Sequence, residues 1–132
     1  MRPPRDSGKN MSIILIYGDG VGWTALRCNA FGAVKAIAAA SLALLHENVW
    51  IELSGLPPHR LPHYYARFDL TRLARKFIFG TDWPGVPGIA RNARALADLG
   101  LGEDVLAGVL AGHAVKVYPG LTNVLQSIDV TL

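Results

Sequence analysis

Lys76-Phe-Ile-Phe-Gly-Thr-Asp-Trp-Pro84 decides how this chain is read. Phe77, Ile78 and Phe79 form a short apolar run of the kind that makes a buried strand. Gly80 and Thr81 let the backbone leave it, Asp82 stands at its C-terminal end, and Pro84 ends regular structure. A carboxylate at the carboxyl end of a buried parallel strand is where α/β enzymes place their chemistry, which makes Asp82 the first candidate site residue.

Working outward, two more strands precede this one. Ile13-Ile-Leu-Ile-Tyr17 is a β-branched run ended by glycines, and Val49-Trp-Ile-Glu-Leu53 is stopped by Ser54-Gly55 and Pro57-Pro58. Between and after the strands the period changes to that of a helix. Phe31, Val34, Ala38, Leu42 and Leu45 predict a helix over about 30–46. Leu61, Tyr64, Tyr65 and Phe68 predict one over about 61–74, with Pro62 in its first turn. Ile89, Ala93, Leu96 and Leu99 predict a third, ended by Gly100 as a left-handed C-cap. Val105, Leu106, Val109, Leu110 and His113 predict a last helix, with Glu103 and Asp104 favourably placed at its start.

The order is β-α-β-α-β-α-α. Such alternation implies an α/β fold with parallel strands and right-handed crossovers. The strands begin about 36 and then about 28 residues apart, a spacing suited to βαβ units. Three parallel strands on their own leave both sheet edges with unpaired backbone groups.

Composition narrows the function. The 132 residues suffice for one domain, and a hydrophobic fraction of 51% is too high for a disordered chain. The net charge of +3 is small and the arginines are scattered, so a nucleic-acid partner is not expected. Cys28 stands alone, which rules out an internal disulfide and fits a reducing, cytoplasmic setting. The Ala-rich stretch 30–45 is interrupted by Lys35 and shorter than the ~20 residues of a spanning helix, so no membrane association is expected. Residues 1–11 are polar and Pro-containing and are expected to be a disordered N-terminal tail.

Two segments then look like a known family. Asn48-Val-Trp-Ile-Glu-Leu-Ser54-Gly-Leu-Pro57, together with Lys76-Phe-Ile-Phe-Gly-Thr-Asp82-Trp-Pro84-Gly-Val-Pro87, resemble the C-terminal part of the amidohydrolase-related proteins, metal-dependent TIM-barrel hydrolases and decarboxylases. The similarity runs over residues 12–118. It implies the last three β/α units of a TIM (β/α)₈ barrel plus a C-terminal helix, with 119–132 as a C-terminal tail. It also implies a divalent metal, most simply zinc, with Asp82 binding that metal or acting on its water. Tyr17 stands where the family's sixth strand usually ends in histidine, and His113-Ala114 where its last helix usually carries Asn-Ala. The family's opening His-x-His pair has no counterpart here.

On this reading Tyr17, Ser54 and Asp82 share the rim that carries active sites, and Trp83 beside Asp82 walls a pocket for a planar substrate. The implied substrate is a small organic acid, amide or lactone. A catalytic zinc site needs about three protein ligands, and the matching positions supply one, so the lone chain is expected not to turn over substrate. The alternative is a non-catalytic remnant, or a split-barrel subunit that completes its sheet by self-association or with a complementary N-terminal half.

The other signals have plainer readings. Gly18-Asp-Gly-Val-Gly22 follows a strand, but Trp23 occupies the position where the dinucleotide fingerprint wants its third glycine, so it reads as a βα loop. His59 and His63 are expected to face solvent despite their four-residue spacing, and His46 to close a helix. His113 continues an apolar face and is expected to be half-buried and satisfied. Trp50 and Trp23 read as packing residues.

Overall fold

The computed structural model describes residues 13–16, 32–81, 83–84, 88–118 and 120–128. Among the described residues three strands form one parallel sheet in the order β1 (Ile13–Ile16), β2 (Val49–Glu52) and β3 (Phe77–Ile78). Ile13 pairs with Val49 and Ile16 with Glu52; Ile51 pairs with Phe77 and Glu52 with Ile78. The ladder continues past the last paired residue, because Leu53 N–H donates to Ile78 O at 3.0 Å. The α/β alternation read from the sequence is therefore present, with all pairing parallel.

The helices are α1 (Gly32–Leu45), α2 (Leu61–Tyr64), α3 (Leu70–Ala74), α4 (Ile89–Ala97), α5 (Glu103–Ala107), α6 (His113–Val117) and α7 (Leu121–Ser127). A 3₁₀ turn at Pro58–Arg60 leads into α2, and a π-turn at Gly108–Gly112 joins α5 to α6.

Alternation along β2 sends side chains to two covered faces. Val49, Ile51 and Leu53 join Phe77, Leu61, Tyr65, Leu73 and Leu96 in the main core, closed by Ala36, Ala39, Ala40 and Ala43 of α1. Trp50 and Ile78 point the other way and pack with Val117 and Ala114.

Several expectations are corrected here. The face of α1 that meets the sheet is the alanine row, not the row through Ala38, Leu42 and Leu45. Leu42 is 41% and Leu45 76% exposed. Alanines at i, i+3, i+4 and i+7 let the helix lie close to β2, and the leucines fall to its flanks. The helix expected over 61–74 is two helices. Asp69 adopts an extended backbone and its carboxylate accepts Arg72 N–H at 3.0 Å, an N-cap that restarts the helix at Leu70. On α4, Ile89 is 60% exposed; the packed stripe runs through Asn92, Leu96 and Leu99, where α4 meets the Pro58–Arg60 turn. Gly100 does carry a positive φ of 70°, the left-handed cap its position suggested. The last predicted helix is interrupted by the π-turn, and α7 forms within the segment expected to be a C-terminal tail. Among the described residues no single helix is long and apolar enough to cross a membrane.

Candidate functional site

The carboxyl ends of β2 and β3 meet at three residues. Glu52, the last residue of β2, lies on the Trp50 face of the sheet, and Ser54 follows two positions later on the same side. Ser54 Oγ donates to Glu52 Oε1 in a short hydrogen bond. Gly80, just past β3, faces this pair across the ladder. A Cβ at position 80 would fall 1.5 Å from Glu52 Oε1 and 2.3 Å from Ser54 Oγ. The carboxylate thus occupies the space that glycine leaves open, and any larger residue there must displace it. Thr81 follows, and its Oγ1 accepts Trp83 N–H at 3.2 Å. Trp83 is 68% exposed, so its ring meets solvent at this end of the sheet.

The residues expected at the rim divide as follows. Ser54 stands at a strand tip and is half-buried. Asp82 and Tyr17 lie outside the described residues, as do Cys28, Trp23 and the glycine loop at 18–22. Sequence reasoning missed Glu52. Its signal was in the alternation of Val49–Leu53, which places Glu52 with Trp50 and Ser54 on one face and leaves it the only charged group in that run.

The other polar cluster of this face lies toward the amino ends of the strands. Trp50 is buried, and two ammonium groups flank its ring, Lys76 Nζ at 4.4 Å and Lys116 Nζ at 5.7 Å from the centroid. Lys76 Nζ also donates to Glu47 O at 2.8 Å and His46 O at 3.3 Å, just beyond the C-terminus of α1. Burial lowers the Lys76 pKa from the ordinary lysine range, Lys116 adds to the lowering, and Glu47 opposes it. His113 stacks at an angle on Trp50 with centroids 5.4 Å apart, and its Nδ1 lies 2.7 Å from Phe77 O. A carbonyl only accepts, so Nδ1 carries the proton and donates. Burial pulls the His113 pKa below the ordinary histidine value; the bond to Phe77 opposes this, and Lys116, Lys76 and Arg75 reinforce it. His113 is thus half-buried and satisfied as expected, and His46, His59 and His63 are exposed.

Among the described residues no group of three or more His, Cys, Asp or Glu side chains could hold a metal ion. Glu52 is engaged by Ser54, and the His113 ring is given to Phe77 on the Trp50 side. The described residues alone therefore do not fit a catalytic metal centre.

Parallel strands alternating with helices define an α/β protein, and Glu52 and Ser54 stand at the carboxyl end of its sheet. The sequence model of the amidohydrolase family matches residues 30–120, and the chain belongs to that family. Membership places it among metal-dependent hydrolase-like and decarboxylase-like proteins. No curated protein and no solved structure gives a significant match to the chain.

Proposed function

We propose that this chain is the C-terminal sector of a metal-dependent amidohydrolase barrel, cytoplasmic and acting on a small organic acid, amide or lactone. The supporting observation is the family match over 30–120 combined with three parallel strands in sequential order. Those strands stand for the last three β/α units of the family's TIM barrel. Asp82, two residues beyond Gly80, is the donor this sector would give to a divalent metal, zinc by family resemblance. Ser54, Tyr17 and Trp83 would border the substrate. The remaining ligands come from elsewhere in the barrel, either a complementary N-terminal half or another copy of the chain.

A divalent metal held by Asp82 and by ligands from the rest of the barrel would supply Lewis acidity toward a carbonyl and would activate a water. This chain's own share is narrower. Ser54 and Gly80 fix one carboxylate, Glu52, at the strand tips in a defined position. Trp83, three residues past Gly80, offers an exposed apolar surface.

The experiment combines metal analysis of the purified chain with turnover of ester, lactone, amide and carboxylic-acid panels. It is run on the chain alone and together with a barrel half carrying a His-x-His strand. Metal uptake and turnover that appear only with the complementing half, and that Asp82→Asn abolishes, are the expected result. Turnover indifferent to Asp82→Asn, or no metal uptake with the complementing half, removes the reading. The second reading, a non-catalytic remnant, is favoured by one observation: the outer edge of β3 is already bonded by the chain's own helix.

A further inference from the structure

In a parallel ladder, alternate residues of a strand turn their backbone groups to opposite sides. Lys76 O and Ile78 O accept from Ile51 N–H and Leu53 N–H, so these residues face β2. Phe77 and Phe79 then present their groups to the outer edge, where a neighbouring strand would bind. Both presented groups that such a strand would engage first are occupied. Phe77 O accepts from His113 Nδ1 at 2.7 Å, and Phe79 N–H donates to Val109 O at 3.0 Å.

The π-turn is what makes this possible. In a regular α-helix, Val109 O would accept His113 N–H, four residues on. Here His113 N–H donates to Gly108 O, five residues back, and Val109 O turns to the strand instead. Gly108 provides the room. A Cβ there would sit 2.4 Å from His113 Nε2 and 2.9 Å from its Cε1, so any side chain at 108 drives the ring off Phe77 O. Three features of one segment, a widened turn, a glycine and a histidine, converge on two backbone groups.

We propose that Gly108–His113 is a built-in cap on the outer edge of β3, standing in for a strand, and that it must withdraw before any further strand pairs there. The identity of the incoming strand, one from a complementary barrel half, rests on the function proposed above. The cap itself does not, and its test uses neither metal nor substrate.

The test is amide hydrogen exchange and histidine ¹⁵N spectroscopy on the full chain. In the unaltered protein, His113 should hold its proton on Nδ1 and the Phe79 amide should be protected. Gly108→Ala introduces a better helix former and fits the local φ of −58°. A purely helical role would therefore leave protection unchanged or raise it. The cap requires the reverse: exchange at Phe79 at least about tenfold faster in Gly108→Ala and in His113→Ala. The Leu53 amide, which bonds the opposite edge, should keep its rate and so reports that the sheet is intact. An unprotected Phe79 amide or an Nε2-protonated His113 in the unaltered chain overturns the proposal. So do unmoved Phe79 rates in both variants with Leu53 still protected. If a variant loses Leu53 protection as well, the measurements on the unaltered chain decide.

Discussion

Glu52 and Trp50 stand two residues apart on one face of β2, yet their surroundings are opposite in kind. Around Trp50 two of the polar neighbours hold backbone carbonyls. Lys76 closes the end of α1 on two carbonyls, and His113 holds Phe77 O. Around Glu52 the carboxylate is held by Ser54 over a glycine, at the end where the chain runs on to Thr81, Asp82 and Trp83. The difference matches the division of labour in parallel α/β folds, where the amino ends of strands carry stability and the carboxyl ends carry chemistry.

Four experiments sharpen or break that contrast. The largest effect is expected at Trp50. It is buried against Ile78 and Val117 and flanked by two lysines, so Trp50→Ala should cost about 3–5 kcal/mol in denaturant unfolding. A loss below about 1 kcal/mol would mean that the amino end is not the structural end. Next comes Gly80→Ala, which forces Glu52 and Ser54 out of their place and should cost about 1–3 kcal/mol. Combined with Glu52→Ala most of that loss should vanish, a non-additivity that a double-mutant cycle reads directly. If the two losses simply add, Glu52 does not occupy the space above Gly80.

The third experiment varies pH. His113 has a folded pKa below its unfolded value of 6.5, so the unfolded chain takes up the proton more readily. This contribution to stability is complete above about pH 6.5, falls as pH drops toward the lowered folded value, and levels off beneath it. Thermal melting between about pH 5 and 7.5 should show the decline, and His113→Gln should flatten it. Among the described residues the charged groups acting on the imidazole are Lys116 on α6 and Lys76 and Arg75 beside β3, all cationic, so none of these reverses the sign. A melting temperature that rises on acidification would contradict the lowered pKa of the half-buried ring. The smallest effect belongs to the surface. Arg75 and Asp104 approach to 3.4 Å with both side chains exposed, and Arg75→Ala should shift stability by no more than ~0.5 kcal/mol.

How much of this was legible in the sequence depended on which force set each element. β2 and β3 were readable because short β-branched and aromatic runs between breakers have few alternatives. The end of α4 was readable because Gly100 had to take a backbone angle other residues avoid. The buried side of α1 was misread because hydrophobicity points to leucine, whereas close approach to the sheet selects alanine. The break between α2 and α3 was present in Asp69 but masked by a continuous apolar period. The π-turn had no local signature, since its reason is a strand edge about thirty residues away in sequence. At the strand tips, the rule that polar residues follow parallel strands points to Ser54, while Glu52 carries no such signal because it lies inside an apolar strand whose alternation alone sets its face.

The alanine row of α1 has a consequence for how this chain can vary. Ala36, Ala39, Ala40 and Ala43 each have almost no exposed surface and lie against the sheet. A methyl group added at any of them enters a closely packed face and should cost stability by overpacking. Tolerance to substitution along this segment should therefore be lowest at its smallest residues and highest at Leu42 and Leu45, the reverse of what hydrophobicity alone would suggest.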